Sequence, residues 1–440
     1  METRLSSLTT WKVEDSGGGE CIRELSQRYG REIDKQAPAS ILVAEQGKGA
    51  FLAAFLAGVA RGIPVFLANP SWRETEWRQV FEQTQPDLVF GEIQVYNQKR
   101  EKEFPHPLVG EILVPTGGSG GRVRFARHSW TTLVRAAQAM CQFFETEIVN
   151  SCCVLPLYHV SGLMQAVRSF ITGGELLLPR WPSIEAGEFP LIPLQEYFIS
   201  LVPTQLKRLL AVSGGLDWLR CFRAVLLGGA SASEDLLDRA RDLRIPLAPC
   251  YGMTETAGMV TALRVEEFRE GLGSSGSVLR QVKISILGDE KEVLPSGETG
   301  RIGVQTPSLF SGYWGGQKHA DFYTTDDEGW LDRSGHLHVK GRIDRTLITG
   351  GEKVDADEVE QALVQSGLVL EALVLGLPDK EWGQRVVAFY VPRNLDQCSK
   401  ALKTLLRAHL SEYKIPKQLI PVSRLPIDEK GKPDWSQISV

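Results

Sequence analysis

Short apolar runs closed by turn residues alternate with longer helical stretches along the first hundred residues. ILVAEQ (41–46), IPVFLANP (63–70) and DLVFGE (87–92) read as buried strands, the second ending at Pro70. Between them, the Ala-rich Gly49–Arg61 and the stretch Thr75–Gln85 read as helices. Parallel strands need a crossover long enough to hold a helix, so this rhythm predicts a parallel α/β sheet. EILVPTGGSGGRVRFA (111–126) interrupts it with four glycines around one serine, and a helix over Trp130–Phe144 follows. Further strands are predicted at 152–157, 174–179, 198–203, 224–229 and 246–251, with helices between several of them. After residue 273 the strands shorten. VKISIL (282–287), GRIGVQT (300–306) and HLHVKGR (336–342), split by Gly, Pro and Asp turns, predict a small β-rich part.

The last hundred residues carry a pattern of their own. VDADEVEQALVQSG (354–367) places Val359, Ala362 and Leu363 on one helical face. LVLEALVLGLPD (368–379) and QRVVAFYVP (384–392) are strands, and SKALKTLLRAHL (399–410) is a helix with Leu402, Leu405 and Leu406 in phase. The boundary falls near Arg342–Arg345, where a strand gives way to a new strand–helix pattern.

A chain of 440 residues exceeds one ordinary domain, which agrees with such a division. Its 42% apolar and 23% charged residues are those of a globular protein. A net charge of −5 offers no basic excess for phosphates, so no nucleic-acid partner is expected. No run of 18 apolar residues occurs, and METRLSSLTTWKVEDSGGGE lacks the apolar core of a leader, so no membrane insertion is expected. Cys21, Cys141, Cys152, Cys153, Cys221, Cys250 and Cys398 are odd in number and contain no C-x-x-C pair. That argues against a disulfide frame and a zinc site; they read as buried, reduced thiols of a cytoplasmic protein. The oligomeric state stays open.

Four segments carry candidate chemistry. In PTGGSGGRVRF, glycines leave backbone N–H groups free to converge on an anion, because no Cβ blocks the approach. Thr116 and Ser119 add hydroxyl donors, and Arg124 adds a planar charged fork suited to phosphate. No Gly-Lys-Ser/Thr follows, so this is not the common P-loop; the plain alternative is a hairpin turn. In CYGMTETAG (250–258), Thr254 and Thr256 can donate to phosphate oxygens, and Glu255 is a hard oxygen ligand for Mg2+. The alternative is a helix start with a threonine cap. In FYTTDDEGWLDRSGHLHVKGRIDR (322–345), paired carboxylates and Arg342 can take the two edges of a ribose diol; the alternative is a solvated acidic turn. In LPIDEKGKPDW (425–435), Lys432 can bring its ammonium to a developing negative charge; the alternative is one more solvated lysine.

Taken in this order, the four segments resemble the adenylate-forming superfamily of acyl- and aryl-CoA ligases, luciferases and peptide-synthetase adenylation domains. The resemblance spans about residues 111–434. It implies an α/β fold with a large N-terminal domain of stacked α/β sheets and a β-rich subdomain (1–342), plus a small mobile α+β C-terminal lid (343–440). It also implies ATP, Mg2+ and coenzyme A, and a small-molecule carboxylic acid. The acid's carboxylate attacks the α-phosphorus of ATP, giving acyl-AMP and pyrophosphate, and a thiol then displaces AMP.

Carried over by motif, Thr116, Gly117, Gly118, Ser119, Gly120 and Gly121 wrap pyrophosphate. Where the family ends this loop in Pro-Lys, this chain has Val123-Arg124, which keeps the charge but not the side chain. Gly228, Gly229, Ala230, Tyr251 and Gly252 match the adenine stretch, Thr254 the α-phosphate contact and Glu255 the magnesium ligand. Ungapped alignment on Gly-Trp-Leu-Asp makes Asp327 the ribose ligand, with Asp326 open beside it, and Arg342 the second ribose contact. Asp344 matches the hinge, Lys432 the adenylation lysine, and Gly350 and Gly351 the loop lining the thiol channel.

PLYHVSGLM (156–164), the TGGSGG variant and the short chain narrow the resemblance to the o-succinylbenzoate–CoA ligases of menaquinone and phylloquinone biosynthesis. Such an acid carries two carboxylates on a keto-aryl skeleton. His159 is expected at the mouth of its pocket, and Arg168, nine residues on, at the carboxylate that does not react. The other readings are another aryl- or acyl-CoA ligase, an adenylation enzyme loading a carrier protein, and a non-catalytic ATP-binding protein. Glu255, Asp327, Arg342 and Lys432 together argue against the last.

Overall fold

The N-terminal strands sort into two sheets in the structure, a computed structural model that describes residues 11–15, 21–72, 74–93, 110–117, 123–317, 321–349, 352–379, 382–394, 399–410, 412–427, 434 and 438. One sheet has the order β4 (Leu88–Phe90), β2 (Ile41–Val43), β3 (Val65–Leu67), β5 (Glu111–Gly117), β6 (Val123–Ser129). Its first four strands are parallel and β6 turns back antiparallel on β5. The other has the order β1 (Val13–Asp15), β8 (Leu176–Leu178), β7 (Asn150–Cys152), β9 (Tyr197–Leu201), β10 (Ala224–Leu227), β11 (Leu247–Met253), β12 (Gly258–Ala262), β13 (Ser277–Val278). It is parallel from β1 to β11; β12 then runs antiparallel to β11, and β13 antiparallel to β12.

Helices α1 (Ile22–Gln36), α2 (Lys48–Ala60), α4 (Trp130–Phe143) and α5 (Val160–Thr172) fill the layer between the sheets. Helix α2 is buried from Phe51 to Val59, which is why its sequence is apolar on every side. Helix α3 (Glu74–Thr84) covers the outer face of the smaller sheet with Trp77, Val80 and Phe81. Short helices α6 (Trp181–Glu185), α7 (Pro203–Leu209), α8 (Gly215–Arg220), α9 (Glu234–Asp242) and α10 (Val265–Arg269) cover the outer face of the larger one. Strand neighbours face opposite layers: Phe198, Ala224 and Leu226 pack inward on α4, while Ile199, Val225 and Leu227 pack outward on these helices.

By the density of internal contacts the chain divides into a larger unit (Met1–Glu298, Ile302–Thr325, Trp330–His338) and a smaller one (Thr299–Arg301, Asp326–Gly329, Val339–Val440). A third sheet, β14 (Lys283–Leu287), β15 (Gly300–Gln305), β16 (Tyr323–Leu331) and β17 (Leu337–Arg342), contributes strand segments to both. In the smaller unit, β18 (Thr346–Thr349), β19 (Glu352–Asp355), β20 (Val369–Asp379), β21 (Gly383–Pro392) and β22 (Gln418–Pro421) form a sheet under α11 (Ala356–Gln365) and α12 (Ser399–His409).

Three expectations change. The helix predicted from 354 begins at Ala356, because the Asp355 carboxylate accepts the Asp357 N–H and leaves Val354 in a strand. Leu402 and Leu406 of α12 are buried but Leu405 is 39% exposed, since the helix rolls its face onto α11. Cys21 and Cys221 are exposed, being the residues that flank helix ends, whereas Cys152 and Cys153 are buried in the sheet as expected. Cys398 lies outside the described residues. Among the described residues no helix is long and apolar enough to cross a membrane.

Candidate active site

Residues 111–126 form a hairpin on either side of the glycine run, as the plain alternative expected. Thr116 pairs with Arg124 and Gly117 with Val123 across β5 and β6, directly flanking the glycine run. Gly118, Ser119, Gly120 and Gly121 themselves lie outside the described residues. The base of the hairpin is held firmly. Gln83 Nε2 donates to the Val123 carbonyl at 2.9 Å, and Trp314 Nε1 donates to the Gln83 carbonyl at 2.7 Å. Arg127, buried, forks onto Glu111 at 2.5 and 3.1 Å.

His128, one residue further, is a site residue that sequence reading missed. A backbone carbonyl only accepts, so its Nε2–H donates to Thr254 O at 2.7 Å. Burial pushes its pKa down to about 4, so the ring is neutral near pH 7. Nothing local in the sequence marks this contact, which spans 126 residues.

Thr254–Thr256 form a single 3-10 turn between β11 and β12 rather than the start of a longer helix. The Thr256 hydroxyl is spent on the backbone, donating to Gly258 O at 2.6 Å in a fully buried position, which removes it as a phosphate donor. Gly252 must be glycine here: a Cβ would lie 2.1 Å from Gly258 O, where β11 and β12 press together at a bulge. Because Leu227 pairs with Pro249, the loop Gly228–Ala230 lies beside Cys250–Gly252 at the carboxyl ends of parallel strands, the usual position for ligands in such sheets. Gly229 makes that loop possible with φ +82°.

Glu255 is 7% exposed. Its Oε1 accepts the Tyr313 hydroxyl at 2.6 Å, and no basic side chain among the described residues pairs with it. A nearly buried carboxylate without a cationic partner suits a hard divalent ion, whose remaining ligands can be phosphate oxygens and water. The guanidinium carbon of Arg124 lies 4.3 Å from the centroid of the Tyr313 ring, the ring whose hydroxyl holds Glu255.

Of the two residues expected at the acid, His159 is the N-cap residue of α5, its ring edge-on to Tyr158 at 4.4 Å. Arg168, two turns along, is 5% exposed, and its Nε has no hydrogen-bond partner. Among the described residues no carboxylate pairs with it; the thiols of Cys141 and Cys250 are the titratable groups that feel its charge. A Cβ placed on Gly258 would lie 4.0 Å from Arg168 Nη2, so the guanidinium reaches the segment that carries Thr254 and Glu255.

The remaining predicted residues belong to the smaller unit. Arg342 Nη2 lies 3.7 Å from Asp326 Oδ2 and Nη1 3.8 Å from Asp327 Oδ1. The Asp327 carboxylate is 13% exposed against 57% for Asp326. Asp344 lies in the 3-10 turn Ile343–Arg345, its side chain outside the described residues. Arg345 beside it is fixed by Asp357 at 3.0 Å, the Val374 carbonyl at 3.0 Å, and Glu360. Gly350, Gly351 and Lys432 lie outside the described residues.

Residues 111–314 match the family model described as AMP-binding enzyme, and residues 358–432 match the model of the AMP-binding enzyme C-terminal domain. The chain is 30% identical over 360 residues to the 2-succinylbenzoate–CoA ligase of Listeria monocytogenes, covering 77% of this chain and 73% of that protein. It is 35% identical over 280 residues to the enzyme of the same name from Geobacillus kaustophilus, covering 62% of this chain and 57% of that one. Among solved structures, the fold is similar to Bacillus subtilis o-succinylbenzoate CoA synthetase in complex with its acyl-adenylate intermediate (TM-score 0.82, 23% identity, 99% of this chain and 98% of that). It is also similar to an amide bond synthetase from Marinactinospora thermotolerans (TM-score 0.76, 23% identity, 99% of each chain). The chain thus belongs to the family of AMP-binding enzymes and stands within it among the AMP-forming acid–CoA ligases.

Proposed function

We propose that this protein is an ATP-dependent ligase that converts o-succinylbenzoate to its CoA thioester through an acyl-adenylate, in the cytoplasm. Arg168 carries the choice of acid. Arg168 is 5% exposed, its Nε has no hydrogen-bond partner and no carboxylate among the described residues pairs with it; such a cation calls for an anion, and a second substrate carboxylate supplies one. His159 is the N-cap of the same helix, and in this reading it lines the mouth of the acid pocket.

In the first step the acid's reacting carboxylate attacks the α-phosphorus of ATP and pyrophosphate leaves. Thr116–Gly121 and Arg124 hold the leaving phosphates, and Thr254 donates to the α-phosphate. Gly229, Ala230, Tyr251 and Gly252 bound the adenine. Asp327 and Arg342 take the ribose hydroxyls, and Lys432 brings positive charge to the reacting centre. Mg2+ held by Glu255 neutralises phosphate charge when bound. In the second step the CoA thiol attacks the acyl carbonyl and AMP leaves. Residues 343–440 act as a lid pivoting at Asp344, presenting Lys432 in one pose and Gly350–Gly351, along the thiol channel, in the other. A closing lid keeps water from the hydrolysable adenylate.

A thioester screen with o-succinylbenzoate beside benzoate and several fatty acids tests this reading. It predicts CoA thioester and acid-dependent pyrophosphate with o-succinylbenzoate. Release with a monocarboxylic acid alone would move the assignment to another acyl- or aryl-CoA ligase.

A further inference from the structure

Tyr313 joins two parts of the site that the motifs treat separately. Its segment is seated on both. The Phe310 N–H donates to Glu255 O at 2.8 Å, the Trp314 N–H donates to Phe125 O at 2.8 Å, and Tyr313 itself bridges Ala126 of β6. The side chain is therefore placed by backbone contacts to the Glu255 turn and to the hairpin below Arg124. The Tyr313 hydroxyl donates its single hydrogen to Glu255 Oε1. The Tyr323 hydroxyl, 3.3 Å away, must then be the donor to Tyr313. The ring face meanwhile carries Arg124.

We propose that Tyr313 is a positioning residue for the metal carboxylate: it clamps one oxygen of Glu255, leaving the other to the divalent cation, and seats Arg124 for the phosphates. This rests on the adenylation reading. The clamp works by orientation. Glu255 has no other side-chain partner among the described residues, so without the hydroxyl its carboxylate is free to rotate and the cation loses a fixed ligand.

The test is the calorimetric affinity for ATP, measured with Mg2+ and again with EDTA, together with Mn2+ binding followed by electron paramagnetic resonance. Tyr313→Phe keeps the ring under Arg124 and removes only the hydroxyl. It is expected to weaken MgATP and Mn2+ binding by about tenfold while leaving metal-free ATP within about twofold. Tyr313→Ala also removes the platform and is expected to weaken metal-free ATP as well. Should Tyr313→Phe fail to melt cooperatively, Tyr323→Phe takes its place, with a smaller loss confined to the metal-bound measurement. Unchanged MgATP affinity, or equal loss with and without metal, overturns the proposal alone. No MgATP binding by the unaltered chain overturns the adenylation reading, and this proposal with it.

Discussion

Replacing Arg168 with methionine should separate substrate recognition from stability, because the two respond in opposite directions. Arg168 is 5% exposed, its Nε has no hydrogen-bond partner and its nearest titratable groups are thiols, so among the described residues the buried charge has no counter-charge. Methionine fills much of the same volume without the charge. Replacing a whole buried ion pair by apolar residues is neutral or stabilising by about 1–4 kcal/mol, and a charge with no partner has no attraction to lose. Binding should move the other way. A charge-assisted pair between guanidinium and carboxylate contributes about 2–4 kcal/mol, so kcat/KM for o-succinylbenzoate should fall roughly 30- to 1,000-fold. Pyrophosphate release gives kcat/KM, and urea unfolding at pH 7 gives stability. The two analogues of o-succinylbenzoate that each lack one carboxylate complete the comparison. The analogue without the non-reacting carboxylate should discriminate little between wild type and Arg168→Met. An unchanged KM for o-succinylbenzoate would refute the assignment. So would a fall in stability beyond about 2 kcal/mol, which would mean the arginine serves the fold.

Two further predictions concern the first half-reaction and pH. Lys432→Ala should abolish acid-dependent pyrophosphate release while sparing thioester formation from pre-made acyl-AMP; equal loss of both steps counts against its role. The depressed pKa of His128, about 4 in the folded state against about 6.5 when unfolded, means that only the unfolded chain takes up this proton between those values. Stability from this group is complete above pH 6.5 and is lost as pH falls toward 4, by about 3 kcal/mol in all. His128→Gln should flatten that part of the stability–pH curve between pH 7 and 4.5, and parallel losses in both proteins would show that the proton goes elsewhere.

Much of the fold was legible because its elements are short apolar runs with clear punctuation. A strand such as Leu42–Val43 or Leu226–Leu227, apolar on both faces, announces a buried parallel strand wherever it occurs. Helix α1 carries the same kind of signal, since Ile22, Leu25, Tyr29 and Ile33 recur at helical spacing. The phase of α12 was not. Leu405 and Leu406 are equally apolar, and only the neighbouring α11 decides which one is covered.

Local pattern and motif order were enough for most of the run of strands and helices and for the kinds of residue gathered as candidates. Periodicity and motif spacing are local properties that each segment carries alone. Tertiary structure decided which of those residues meet. Tyr313 finds Glu255 across 58 residues, and His128 finds the Thr254 carbonyl across 126. It also decided that Thr256 turns its hydroxyl to the backbone and that Arg168 is buried without a counter-charge. These outcomes depend on how β6, α5 and the turn after β11 approach one another. Such approach is fixed by the packing of whole layers, which no single stretch of sequence encodes.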